Sequence, residues 1–393
     1  MSLPALPSSG NYLSSVRESS RKLCQESNIT IDQNNIERLI SSDVFKSLDH
    51  ATSLPGVALP LNFASALDEL NVVSVLALLN FGTSFDGPLR TQTGHGASNA
   101  IKALIFGMYI TSTPSEGDYL SANGLRSISA AKIAELIGVD IHIERPHPSL
   151  PGVTVGELGG PLYEYVLLVT QTLNETGKIL LDHGYPNLGF FVVEALKEAK
   201  KAKVDQDASA QAEAVVAKVV RALPAFQDMT FVNGEPVYIF SKAIYLLNVL
   251  YTRFGSTNPP PFPVPDVKDL PISADGFTPS VFVKLGIINL SSSDSLRNLW
   301  PTISNEDIQA LLDQQKEGVA AQVAQDGPTM SLEQSSRLQG AAIVAAETIA
   351  EVATQSGGAV TPSKINVWLQ ATLKQRADYR AVGGIVVKGA VLF

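Results

Sequence analysis

Cysteine is almost missing from this chain of 393 residues: Cys24 stands alone. One thiol cannot build a disulfide framework, a cysteine-held iron–sulfur cluster or a thiolate zinc site. Histidine is scarce as well, and the five that occur, His50, His95, His142, His147 and His183, show no metal-ligand spacing. No metal or other cofactor is expected. Charged residues make up only 17% of the chain, and 29 basic against 38 acidic side chains give a formal net charge of −9. That balance offers no basic field to a long phosphate backbone, so no long nucleic acid is expected as partner, whereas a single nucleotide is compatible with it. Long apolar runs are absent too. The best stretch, 97–112, carries Lys102 and falls short of the roughly 18 residues a membrane span needs. The first residues lack the basic and then apolar pattern of a signal peptide. The expectation is a cytoplasmic protein with no membrane partner. Neither a phosphate-loop signature, nor His-Glu-x-x-His, nor Gly-x-Ser-x-Gly occurs. Thr91-Gln-Thr-Gly94-His95-Gly96 has the glycines of a phosphate loop but follows no clear strand.

What is present is apolar, at 45% of residues, and mostly spaced for helices. Leu188, Phe191, Val192, Ala195, Leu196 and Ala199 make one stripe. Leu162, Tyr165, Val166, Val169 and Leu173 make another, opened by Pro161 and stopped by Gly184. Ser331-Leu-Glu-Gln334 has capping-box form, and Thr278-Pro279 and Thr361-Pro362 each pair an N-cap residue with a proline in the first turn. Asn233-Gly234 between apolar runs predicts a short β-hairpin. The fold class is therefore mainly α with that hairpin. Prolines mark the joints: 255–271 reads as an extended connector, and 146–160 as an irregular stretch dividing an N-terminal part, 1–160, from a helical part, 161–393. In the N-terminal part the buried run Val72–Leu79 leads directly into Asn80-Phe81-Gly82, a polar, glycine-bearing turn suited to ligand contacts.

One residue breaks the apolar pattern. Lys242 shares a stripe with Tyr238, Ile239, Tyr245, Leu246 and Val249, and thirty-three residues later comes Asp275. A lysine in such surroundings needs a partner or must snorkel to water. The ammonium and the Asp275 carboxylate form a candidate catalytic pair, and the connector is expected to bring Asp275 to the lysine helix.

Several motifs together carry a resemblance. Leu173-Asn-Glu-Thr-Gly-Lys-Ile-Leu-Leu181, Leu223-Pro-Ala-Phe-Gln-Asp228, Tyr238-Ile-Phe-Ser-Lys-Ala, Ser273-Ala-Asp275 and Lys284-Leu-Gly-Ile-Ile288 resemble the queuosine salvage family, the queuosine 5′-phosphate N-glycosidases, from about Leu61 nearly to the C-terminus. The resemblance implies a helical bundle similar to helix-hairpin-helix DNA glycosylases. It also implies hydrolysis of the N-glycosidic bond of a small nucleotide, releasing queuine for tRNA modification. On this reading Asp275 and Lys242 are catalytic, while His50, Asn80, Phe81, Ser273 and Asn366 contact substrate. The chain departs from the family pattern at Ser273 and Gly276, where aromatics are usual, and at the C-terminal motif, where Asn366, with Gln370 and Trp368 beside it, matches a catalytic aspartate. An amide accepts and donates hydrogen bonds but is neither base nor anion. The alternative to a working glycosidase is thus a catalytically impaired relative that binds a modified nucleoside or a protein partner. Oligomeric state is left open.

Overall fold

The computed structural model describes residues 3–48, 59–112, 117–202, 208–313 and 326–387. His50 lies outside the described residues. The chain is mainly helical, with a few two-residue to five-residue strand pairs. It forms two compact units: residues 1–60 with 193–390, and 61–192 with 391–393.

The first unit opens with α1 (Tyr12–Glu26), β1 (Thr30–Ile31), α2 (Gln33–Ser41) and α3 (Asp43–Lys46). The second unit then builds α4 (Ala66–Leu78), α5 (Asp86–Thr93), α6 (Ala97–Thr111), α7 (Ala122–Ser127) and α8 (Ala130–Ile137). An antiparallel hairpin follows, β2 (His142–Pro146) with β3 (Thr154–Leu158), and then α9 (Gly160–Asp182). The stretch 146–160 is therefore not irregular: Thr154–Leu158 pairs back onto His142–Pro146, and His142 sits on a strand. The expected division after residue 160 falls inside this unit. Leu162, Tyr165, Val166, Val169 and Leu173 of α9 are buried, and α9 packs on α7 and α8, so residues on both sides of position 160 share one core.

The motif around Asn174 has a local explanation. The Asn174 amide donates to the carbonyls of Leu125 and Ile128 at 2.8 and 3.1 Å, closing the C-terminal end of α7. One turn on, Gly177 lies so close to α7 that an added Cβ would meet the Arg126 backbone nitrogen at 2.3 Å and the Ala122 carbonyl oxygen at 2.6 Å. Glycine is required there by the close approach of the two backbones. The run Val72–Leu79 is the C-terminal part of α4 with its C-cap, buried throughout. The glycines of 91–96 serve helix ends: Gly94 ends α5 in the left-handed region, and Gly96 precedes α6. The buried Asp86 carboxylate accepts from the Ala97 backbone N–H at 2.7 Å and pairs with Arg90 at 3.2 Å. A carboxylate already occupies the helix start that a phosphate would need.

The chain returns through α10 (Leu188–Ala202) and α11 (Ala208–Ala222) to the predicted hairpin, β4 (Met229–Val232) with β5 (Glu235–Tyr238). Its turn residues Asn233 and Gly234 both take positive φ, 52° and 82°, as a two-residue hairpin of this hand requires. The lysine helix is α12 (Ser241–Phe254). Residues 255–271 contain no helix or strand, matching the predicted connector. Beyond it come α13 (Thr278–Lys284), β6 (Ile288–Asn289) paired with β1, α14 (Asn305–Leu312), β7 (Thr329–Met330), α15 (Leu332–Gln355), α16 (Pro362–Gln375), α17 (Ala377–Ala381) and β8 (Val386–Val387), parallel to β7. The capping box at Ser331 and Gln334 and the Thr361 cap form as predicted. The long α15 packs on α1, α13 and α16 and is buried along most of its length, forming the spine of the first unit.

Gly177→Ala tests the α7–α9 contact. The new methyl meets backbone, which cannot rotate away, so a loss of about 1–3 kcal/mol is expected. This outweighs the roughly 1 kcal/mol that alanine gains over glycine in a helix. The measurement is the urea unfolding midpoint; an unchanged midpoint would show that the two helices separate without cost.

Candidate functional site

Lys242 is 3% exposed and its neighbour in charge is Asp228, 0% exposed, with Nζ and Oδ1 2.6 Å apart. This approach lies off the axis of an aligned hydrogen bond, so it is an ion pair held by Coulomb attraction at low dielectric. Asp228 Oδ2 accepts the Lys242 backbone N–H at 3.0 Å, and the Asp228 carbonyl accepts from Ile239 and Phe240 at 2.9 and 3.2 Å. One aspartate thus closes the base of the β4–β5 hairpin and caps the start of α12. The intervening Phe240 is forced to φ 48°, a region that disfavours a bulky side chain, and its ring is wedged near Tyr12 and Tyr238 with centroids 5.6 and 5.7 Å away. Asp228 lies in the Leu223–Asp228 motif, which by itself gives it no role.

Asp275, expected as the charge partner of Lys242, is half-buried at the end of the connector. Its Oδ1 accepts three hydrogen bonds, from the backbone N–H groups of Phe277 and Thr278 at 3.0 and 2.8 Å and from the Thr278 hydroxyl at 2.9 Å. Asp275 is therefore the residue that caps α13, where the sequence pattern pointed to Thr278. Its Oδ2 accepts from Gln370 Nε2 at 2.9 Å. Tyr245, one turn beyond Lys242 on α12, brings the lysine helix within electrostatic reach of Asp275: burial first, and the Asp275 charge second, push its hydroxyl up to about 12. Tyr245 stays protonated and able to donate across the physiological range.

The loop that carries Asp275 is held residue by residue. Ser273 donates to Asn366 Oδ1 through its hydroxyl at 2.9 Å and its backbone N–H at 3.3 Å, both residues being buried. The Ala274 carbonyl accepts from Gln339 of α15 at 2.8 Å. Asp275 takes Gln370, and the Gly276 carbonyl accepts from Ile385 at 2.9 Å. Asn366 and Gln370 are one turn apart on α16, whose position is fixed by the Trp368 indole donating to the Val44 carbonyl at 3.0 Å and by the Ser363 hydroxyl donating to Asn248 Oδ1 of α12 at 2.6 Å. So Ser273, Asn366 and Asp275 are brought together, and Gln370 rather than Asn366 touches the carboxylate. Asn80 and Phe81 belong to the second unit. There Phe81 is 7% exposed, and Gly82, with φ 98°, lies against the Tyr165 ring. Clefts of about 510 and 950 Å³ in the first unit, one beside Arg17, Arg21 and Glu347 and one beside Glu213, Lys218 and Arg221, include none of the site residues. Among the described residues no group of three or more His, Cys, Asp or Glu side chains could hold a metal ion.

Replacing Lys242 by methionine leaves the Asp228 carboxylate buried without its ammonium, and a loss of about 3–5 kcal/mol is expected in denaturant unfolding. Adding Asp228→Asn to Lys242→Met removes the orphaned charge while retaining an acceptor for the Lys242 backbone N–H. The double variant should regain part of that loss; a double variant less stable than Lys242→Met alone would contradict the pairing.

No curated protein matches the chain. A sequence profile described as queuosine salvage protein matches residues 168–306. The matched segment is narrower than the stretch, from about Leu61 nearly to the C-terminus, over which the motifs run. It contains Asn174, Gly177, Asp228, the hairpin, Lys242, Ser273 and Asp275, and stops before Asn366 and Gln370. This segment, which covers the buried ion pair and the pinned aspartate loop, is similar to the queuosine salvage family.

Proposed function

We propose that the protein, whose residues 168–306 match the queuosine salvage family, hydrolyses the N-glycosidic bond of queuosine 5′-phosphate and releases queuine. The observation that carries the reading is the Asp275 carboxylate, fixed in place within a loop in which each of four consecutive residues has its own hydrogen-bond partner. Cleavage of a base–ribose bond passes through an oxocarbenium-like state, and a positioned carboxylate stabilises that developing charge without rearranging. The C1′–N bond breaks with its electron pair leaving on the base, which takes up a proton from solvent, matched by the one that the carboxylate later returns to solvent. A water oxygen bonds to C1′ and gives its proton to the carboxylate. Oδ1 is saturated by its three donors, so Oδ2 is the oxygen with acceptor capacity left for this work. Lys242 serves by fixing the first turn of α12 through Asp228, and Tyr245 supplies a protonated hydroxyl beside Asp275. A helix-hairpin-helix glycosylase-like scaffold belongs to the same reading.

A second reading has its own support: the α16 side chains that meet the aspartate loop, Asn366 and Gln370, are neutral amides. A chain that binds the nucleotide without cleaving it is compatible with such a set. Incubation of the purified protein with queuosine 5′-phosphate, with free queuine read by mass spectrometry, separates the two. Release is expected, and Asp275→Asn should lower kcat about a hundredfold or more with KM little changed, since the charge acts mainly on the transition state. Binding of the nucleotide with no release by the wild type would favour the second reading, and release by Asp275→Asn at the wild-type rate would sink the mechanism.

A further inference from the structure

The end of α16 and the turn after it gather positive charge in a chain whose net charge is −9. Lys374, Arg376 and Arg380 follow one another closely, with Asp378 the one acid among them. Arg376 is committed: its Nε and Nη2 meet the Asp378 carboxylate, and it also donates to the carbonyls of Asp313 and Ala310. The other two cations differ. Arg380 Nη1 donates to the carbonyls of Leu373 and Lys374 at 3.1 and 2.7 Å, which sets the guanidinium against the last turn of α16 and offsets the partial negative charge there. Its Nε and Nη2 make no hydrogen bond among the described residues, and neither Lys374 nor Arg380 is in an ion pair with any of them. Burial lowers the pKa of the Lys374 ammonium. A cation partly stripped of water and given no counter-charge is a cost that a bound anion would offset.

Both cations connect to Asp275, by separate routes. Lys374 follows Gln370 by four residues, one turn on along nearly the same face of α16, and Gln370 holds Asp275 Oδ2 at 2.9 Å. Arg380 comes shortly before Ile385, whose backbone N–H donates to the carbonyl of Gly276, the residue after Asp275. Lys374 is thus set about 5.4 Å, one helical turn, beyond the residue that touches the carboxylate. A ribose sets its 5′-phosphate apart from its anomeric carbon by a comparable span.

Resting on the reading of Asp275 as the carboxylate at the anomeric carbon, we infer that Lys374 and Arg380 form the subsite for the 5′-phosphate, and so make the protein select a nucleoside 5′-monophosphate over the nucleoside. A phosphate monoester carries about −1.5 to −2 charge at neutral pH and three acceptor oxygens. Lys374 brings a compact charge with three donors, and Arg380 the unused edge of a planar fork, which together answer that group in charge and in donors.

The test sets queuosine 5′-phosphate against queuosine on wild type, Lys374→Met, Lys374→Arg and Arg380→Met, with binding read by calorimetry and queuine release by mass spectrometry. Wild type should bind the nucleotide about tenfold or more tightly than the nucleoside. Lys374→Met should lose most of that preference, through KM rather than kcat, with nucleoside affinity within about twofold of wild type and the unfolding midpoint unchanged. Lys374→Arg should retain the preference. Arg380→Met also removes contacts at the end of α16, so it is read as the ratio of the two affinities, which a general loosening would leave unchanged and which should fall. The wild-type preference should shrink below about pH 6, where the phosphate takes up its second proton, and that pH dependence should flatten in the variant lacking both cations. Inorganic phosphate should compete with the nucleotide. Equal wild-type affinity for nucleotide and nucleoside, even with inorganic phosphate bound, or an equal loss for both in Lys374→Met, overturns the assignment. A wild type that releases no queuine defeats the glycosidase reading instead, while the ratio of the two affinities still decides whether Lys374 and Arg380 hold the phosphate.

Discussion

Two opposite charges held out of water at 2.6 Å organise the first unit. Burying either alone would be prohibitive, so Lys242 and Asp228 can be buried only together, and that obligation draws the residues before β4 onto the start of α12. The Asp228 carbonyl and carboxylate between them accept from three backbone N–H groups within four residues: those of Ile239, Phe240 and Lys242. The left-handed Phe240 is a consequence. Its conformation carries strain on the order of 1–3 kcal/mol, which persists because the surrounding bonds leave the chain no other path. With the first turn of α12 fixed, Tyr245 and Asn248 face the aspartate loop and α16 respectively, and the site inherits its frame from the ion pair.

The loop 273–276 shows a different strategy. Its polar groups are met by amides, Asn366, Gln339 and Gln370, and by backbone, rather than by charges. Amides satisfy buried groups without the desolvation cost of ions and without adding a field of their own. The one carboxylate in the loop then stands without a competing charge from these three partners. Gln339 is the less complete member: its Nε2 bonds the Ala274 carbonyl while its Oε1 is buried with no hydrogen-bond partner among the described residues.

Local signals in the sequence translated well. Asn233-Gly234, the stripe through Lys242, the helix opened by Pro161 and the caps at Ser331 and Thr361 all follow from short-range rules about turns, periodicity and capping. That Lys242 would be buried was legible from its stripe; that its ion partner is Asp228 was not, because the hairpin between them folds fourteen residues into contact and periodicity says nothing about what a hairpin returns to. Asn174 and Gly177 read as a family signature but act as packing residues for α7, a fact visible only once the two backbones are side by side. Gln370 and Gln339 were still less accessible. A glutamine on a helix has an ordinary surface meaning, and only the loop arriving from a distant segment gives it another.

The discontinuous make-up of the first unit has a consequence for biosynthesis. Residues 61–192 supply the second unit in one stretch, save for 391–393, whereas the unit bearing Asp275 joins residues 1–60 to 193–390. A ribosome delivers chain from the N-terminus, and domains fold as their parts emerge. The second unit has all but its last few residues long before translation ends. The aspartate loop, in contrast, must wait for α15 and α16, so α1, and later the lysine helix, emerge before the partners that bury them. During that interval the apolar stripes of α1 and α12 are exposed, and any factor that shields nascent chains would find them there rather than in the segment between.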